Sequence, residues 1–352
     1  MSMNQNRVLL EIDELKTHYF TPQGTVKAVE GASLSIREGQ AVGIVGESGC
    51  GKSVMLRSIL RIVPSPGKIV EGHMTFLRKD GQTVDLTELD PNGRPIRAIR
   101  GDEIAMIFQE PMSSLSPVHT IGNQIMEAIM LHKHVKAAEA RQMAIAILAK
   151  VAMPRPEQII DQYPHEISGG MRQRAMIAMA LSCEPRLLIA DEPTTALDVT
   201  TQAQILALMR RLQAEFGMAI LFVTHDLGVV AQMTEYVVVM YMGQVVEAAP
   251  VDDIFFAPRH PYTHALLHSI PRLGQRKTGQ RLEPIRGTVP DPFARPTGCP
   301  FHTRCRFNDG ARCETELPAL RDVGADHQAR CHYAETLGLR GIDAPAATRI
   351  PA

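Results

Sequence analysis

Apolar residues fall along this chain in short blocks separated by polar turns. AVGIV, residues 41–45, is apolar throughout apart from one glycine, which predicts a strand buried on both faces. VMLRSILRIV, residues 54–63, follows a glycine-rich turn and reads as a helix. LLIAD, residues 187–191, is a second short buried strand, and the acids Asp191 and Glu192 end it. Between 169 and 181 the residues after Ser-Gly-Gly are apolar on nearly every face, so a buried helix is expected with Ser168 as its N-cap. The longest apolar run is YVVVMYM, 236–242. A membrane-crossing helix needs about 20 apolar residues, so this chain is not expected to span a bilayer alone. The opening MSMNQNRVLLEIDELKTHYF lacks a sustained apolar core, and no secretory signal is expected.

Composition narrows the class. The chain has 352 residues, enough for one large domain and a smaller one. It is 45% hydrophobic and 21% charged, which fits a soluble globular protein. A net charge of −1 provides no basic field for nucleic acid. The 18 methionines read as core filler. Without an export signal, disulfides are not the default for the six cysteines.

The sharpest chemical signal is GESGCGKS, Gly46 to Ser53, a complete G-x-x-x-x-G-K-[ST] between the expected strand and helix. Gly46, Ser48, Gly49, Cys50 and Gly51 form a loop whose backbone N–H groups can turn inward on phosphate oxygens. The following helix adds the partial positive charge of its N-terminus. Lys52 would reach the β- and γ-phosphates, and Ser53 would ligate Mg²⁺. Cys50 reads as a small loop residue rather than a redox group. Two acids at the end of a buried strand are costly unless their charge is used. Asp191 would hold Mg²⁺ through water, and Glu192 would orient the attacking water. Ser168, Gly169 and Gly170 leave bare N–H groups at a helix start, suited to an anion or to plain capping.

In this order and spacing the motifs resemble the ATP-binding cassette family over residues 7–258. The resemblance implies a P-loop NTPase α/β core of RecA-like type, with an antiparallel β subdomain near 7–40 and 68–105. It implies a helical subdomain at about 113–180, whose segment 113–163 would grip membrane subunits. Gln109 in AMIFQEP matches the family's Q-loop glutamine, also a Mg²⁺ contact, and His225 in FVTHD its switch histidine. Asp198 matches the D-loop, and Tyr19 the aromatic that stacks on adenine, with Phe20 as the other choice. The signature departs at Met171, where the family usually has Gln. In this family two cassettes pair head to tail. Each ATP lies between one chain's Walker A loop and the other's Ser-Gly-Gly helix. FQEPMSSLSP, YPHEISGGMRQR, ADEPTTALDVTTQAQI and APRHPYTHALLHSIP more narrowly resemble the ATPase subunits of peptide and nickel importers. The implied partners are two permease subunits, an extracytoplasmic binding protein and a second ATPase, a paralogue rather than a copy. The implied place is the cytoplasmic face of the inner membrane, peripherally bound. Peptide uptake is the leading reading, with nickel, opines or sugars as other cargoes.

Residues 259–335 form a C-terminal extension, and 336–352 read as a disordered Ala/Pro-rich tail. The extension holds Cys299, Cys305, Cys313 and Cys331. Resembling peptide-importer ATPases carry this arrangement around a [4Fe–4S] cluster, and four thiolates are the ligand set such clusters take. No ferredoxin spacing is present. Zinc, with His302, His327 or His332 as substitutes, and free or disulfide-bonded thiols remain open. The extension is thus expected to be a metal-binding module. Two other classes compete: a soluble cassette ATPase acting on ribosomes or DNA, and an iron–sulfur sensor with a vestigial ATPase. A single P-loop, no heptad run and no basic tract weigh against the first. Intact Lys52, Asp191, Glu192 and His225 weigh against the second.

Overall fold

The computed structural model describes residues 7–109, 114–195, 197–269 and 284–342. Two sheets organise it. Strands β1 (Val8–Thr21), β2 (Gly24–Arg37), β4 (Gly67–Leu77) and β5 (Thr83–Asp85) form an antiparallel sheet in the order β2-β1-β4-β5. The larger sheet has eight strands. Its centre comprises β3 (Ala41–Val45), β6 (Ile104–Ile107), β7 (Leu187–Asp191), β8 (Ala219–Val223) and β9 (Tyr236–Tyr241), in the order β9-β3-β8-β7-β6. These five are parallel. Every residue of β3, β7 and β8 is buried, as expected for strands covered on both faces. The AVGIV and LLIAD runs therefore become strands at their expected positions.

The expected helix over 54–63 begins earlier and ends sooner, at Lys52–Ile59. Arg61 adopts a left-handed φ of 55°, and Pro64 and Pro66 follow, so the helix cannot continue. Helices Ile121–Lys133, Ala137–Lys150 and Gly169–Leu181 share one apolar cluster, with Ile125, Ile129, Ala144, Leu148 and Met176 inside it. That cluster continues under β7 through Leu188 and Ala190. Packing against the central sheet, rather than helix propensity, fixes the signature helix in place.

The C-terminal segment extends the large sheet. β10 (Gln244–Pro250) is antiparallel to β9. The short strands β12 (His327–Ala329) and β11 (Arg321–Gly324) add to its far edge. A fully buried carboxylate, Glu247, secures this join. It accepts from the backbone N–H groups of Arg259 and His260 and pairs with His327 Nε2 at 2.7 Å. Arg330 donates to the carbonyls of Val245, Pro318 and Gly31, tying the extension to both sheets. Buried polar groups satisfied in this way hold a defined arrangement. Among the described residues, no helix is long and apolar enough to cross a membrane.

Candidate nucleotide site

β3 delivers the chain into the loop 46–51, and the helix Lys52–Ile59 receives it. Two glycines are sterically required. A Cβ on Gly46 would lie 2.3 Å from Met240 O, and one on Gly51 would lie 2.2 Å from Ala28 O. Gly51 also has a φ of 101°, a conformation other residues rarely adopt. Lys52 is 7% exposed, and its Nζ donates to the carbonyls of Gly46 (2.8 Å) and Glu47 (3.0 Å). The loop thus folds around its own lysine. Cys50 is buried there, and burial raises its thiol pKa despite nearby Lys52, so it stays a thiol.

β7 brings Asp191 beneath the same loop. Ser53 Oγ donates to Asp191 Oδ1 at 3.3 Å. Asp191 is 4% exposed, and burial raises its pKa. The Ser53 hydrogen bond opposes that rise, and Glu192 adds to it. A carboxylate so placed gains from a cation, and its pairing with the Ser53 hydroxyl suits Mg²⁺. Glu192 is the next residue and adopts a left-handed φ of 47°. It accepts from Gln109 Nε2 and Thr195 Oγ1, both at 3.0 Å, and meets His225 Nδ1 at 3.3 Å. Two distant segments, carrying Gln109 and His225, therefore converge on one carboxylate.

Ser48, Gly49, Cys50, Gly51, Lys52, Ser53, Gln109 and Glu192 line one cavity of about 510 Å³. Asp191 is not a lining residue and meets the wall through Ser53. Tyr19 is not among the lining residues; its ring packs where a Cβ on Gly67 would sit. Ser168, Gly169, Gly170 and Asp198 are also absent from that lining. Ser168 caps its helix by accepting from Met171 N–H, and nothing lies within 4 Å of a Cβ on Gly169. Asp198 caps the helix Val199–Phe216, and the Thr201 backbone N–H holds its pKa down. Within one chain the signature and D-loop residues do not line the P-loop cavity.

The ABC transporter family profile matches residues 29–195, and the profile for the oligopeptide/dipeptide transporter C-terminal region matches 246–313. The oligopeptide transport ATP-binding protein AppD of Bacillus subtilis is 49% identical over 332 residues, covering 94% of this chain and 98% of that protein. This chain belongs to the ABC transporter family. The dipeptide transport ATP-binding protein DppD of Escherichia coli is 46% identical over 325 residues, covering 92% of this ABC ATPase and 96% of DppD. A probable peptide ABC transporter ATP-binding protein of Sinorhizobium fredii is 49% identical over 92% of this chain and 94% of its own length. Among solved structures, the dimeric bacterial ABC transporter cassette MJ0796 superposes with a TM-score of 0.60 at 28% identity, covering 69% of this chain and 99% of that one. Its post-hydrolysis dimer, bound to ADP and Pi, also scores 0.60. The cassette is an ATPase whose hydrolysis is coupled to transport.

The iron–sulfur expectation is corrected. Cys299, Cys305, Cys313 and Cys331 are free thiols lining one apolar cleft. Among the described residues, no group of three or more His, Cys, Asp or Glu side chains is placed to hold a metal ion. Neither a [4Fe–4S] cluster nor zinc is supported, and the extension is not a demonstrated metal module. The physical reason lies in the surroundings. Burial pushes Cys305 up to about 12 and Cys331 up to about 11, and it raises Cys299 and Cys313 as well. Forming the thiolates that a metal needs would carry that added cost. The cleft has room for only about 10 Å³, one water molecule at most. The histidines are engaged elsewhere: His302 with the Cys299 carbonyl, His327 with Glu247, and His332 with the Glu316 carbonyl.

Sequence reasoning missed several contributors. Gln173 is buried in the signature helix and donates to the Pro193 carbonyl, joining that helix to the turn after Glu192. A Gln on a helix otherwise expected to be buried was the available signal. Val289, Pro290, Pro292 and Arg295 of the extension also line the nucleotide cavity. Nothing local in those residues indicates that role.

Proposed function

We propose that this ABC ATPase powers uptake of dipeptides or oligopeptides through a membrane permease. The observation that carries the reading is the convergence of Ser53, Asp191, Gln109, Glu192 and His225 around one P-loop, on a chain whose C-terminal region matches the peptide-transporter profile. The names of its relatives favour peptides over nickel, opines or sugars.

In this reading Lys52 and the loop N–H groups bind the β- and γ-phosphates; Tyr19, which does not line the cavity, is left without a role there. Ser53, Asp191 and Gln109 would hold Mg²⁺, which would neutralise phosphate charge. Glu192 orients and polarises the water that attacks the γ-phosphorus, while the bond to the β–γ bridging oxygen breaks. His225 holds Glu192 in register. This division of labour suits phosphoryl transfer, which needs positioning and charge stabilisation more than covalent groups. Ser168, Gly169, Gly170 and Asp198 would complete the site of a second ATPase subunit, which we take to be a paralogue. Residues 7–258 form the cassette and 259–335 its extension. The helices within 113–180 would face two permease subunits at the cytoplasmic side of the inner membrane. An extracytoplasmic binding protein would select the peptide.

The test is ATP hydrolysis by the chain reconstituted with its permease and binding protein. Di- or tripeptides are expected to stimulate phosphate release several-fold, and Ni²⁺ or sugars are not. Stimulation by Ni²⁺ or a sugar alone would replace the peptide assignment while leaving the ATPase intact.

A further inference from the structure

The Walker A loop is held from outside its own motif. Arg304, 257 residues downstream, places Nη1 2.7 Å from Glu47 Oε2 and Nη2 3.0 Å from Glu47 Oε1. This is a two-pronged pair, the geometry in which a guanidinium most firmly orients a carboxylate. The Arg304 side chain is only 4% exposed. Its Nε donates to the Arg286 carbonyl, and the guanidinium also reaches the Tyr241 hydroxyl at 3.4 Å. Glu47 is tied at two further atoms. Its N–H donates to Tyr262 Oη at 2.9 Å, and its carbonyl accepts from Lys52 Nζ at 3.0 Å. Tyr262 stands in a ring cluster with Tyr241 and Phe301, at centroid distances of 4.7 and 5.3 Å. One residue of the phosphate loop thus connects the extension to the phosphate-binding lysine. A second contact is independent of Arg304. Val289, Pro290, Pro292 and Arg295 form part of the cavity wall, and Phe293 packs against the β1–β2 turn, 3.3 Å from where a Cβ on Gly24 would lie.

We propose that Arg304 is a positioning residue for nucleotide binding: through Glu47 it sets the Walker A loop and Lys52, and so couples ATP affinity to the folding of the extension. The inference rests on the cavity being the ATP site. Coupling of this kind is reciprocal. If the ordered extension favours nucleotide binding, bound nucleotide must order the extension by the same free energy. A bolt that merely fastened the extension would affect stability and leave nucleotide affinity alone.

The experiment uses the full chain and measures binding of a fluorescent ATP analogue with Mg²⁺, alongside thermal unfolding. Glu47→Gln and Arg304→Met are each expected to weaken binding about tenfold. The double variant should be weaker by much less than the product of the two, because both remove one contact. Arg304→Lys, which keeps the charge and loses the fork, should recover part of the loss. Backbone hydrogen exchange over 284–304 should slow when nucleotide binds the parent chain, and slow less in Glu47→Gln. Glu47 lies on a partly exposed loop, so its variant keeps the test open should Arg304→Met fail to fold. The proposal is overturned if Glu47→Gln binds within twofold of the parent and nucleotide leaves exchange over 284–304 unchanged. Lys52→Ala separates the two levels. Loss of binding there, with normal binding in Glu47→Gln and unchanged exchange, removes only the coupling, whereas normal binding in Lys52→Ala removes the site assignment and the coupling with it.

Discussion

Glu192 and Asp191 are neighbours in sequence but occupy unlike environments. Asp191 is the last residue of a buried strand, and burial disfavours its charged form. Glu192 turns away on a left-handed backbone and collects donors from Gln109 and Thr195, with His225 beside it. Strain of this kind costs about 1–3 kcal/mol and persists where surrounding contacts hold it. The sign for Asp191 follows from linkage. A carboxyl whose folded pKa is raised binds its proton more tightly when folded, so it costs stability once pH rises above its unfolded pKa. Asp191→Asn removes that cost. The variant is expected to melt higher than the parent at pH 7 without nucleotide, and to lose the rise in melting temperature that ATP with Mg²⁺ gives the parent. A lower melting temperature in the nucleotide-free variant would contradict the burial argument.

At the scale of elements, the P-loop depends on close approach of backbones. Gly51 sits against Ala28 O with a φ of 101°, so Gly51→Ala meets both a clash and a strained conformation. We expect a loss of about 1–3 kcal/mol in stability and loss of tight nucleotide binding, read by thermal melts and analogue binding. Normal binding in a stable Gly51→Ala chain would contradict the loop geometry. The same scale explains what was legible beforehand. AVGIV and LLIAD are continuous apolar runs, and only burial on both faces accounts for them, so both strands were evident. The glycine-lysine-serine spacing announced the P-loop. β11 and β12 were not evident, because RDVG and HQA carry no alternation and exist by pairing, β12 with β10 and β11 with β12. The Glu47–Arg304 pair joins residues with 256 positions between them, and no local pattern encodes it. The cysteine spacing misled for a related reason. It brought four thiols to one cleft, but spacing carries no information about the burial that raises their pKa values or about the space between them.

In the whole molecule, Ser168, Gly169, Gly170 and Asp198 do not line the cavity their chemistry would serve. In the proposed assembly a second subunit would bring them to it; the structurally similar MJ0796 cassette is a dimer. Ser168→Arg should therefore leave the isolated chain's affinity for ATP unchanged, while phosphate release by the assembled transporter falls at least tenfold, as for a lost charge-stabilising contact. Weakened ATP binding by the isolated, folded variant would place Ser168 in its own chain's site instead. The account as a whole rests on this chain being an ATPase with Glu192 at its centre. The most direct measurement is phosphate release from ATP with Mg²⁺ by the purified chain, beside Glu192→Gln. Comparable nucleotide affinity in the two, with hydrolysis in the variant slower by about 10²–10⁴ as for a lost general base, is the predicted result. Equal hydrolysis rates in the two would contradict it.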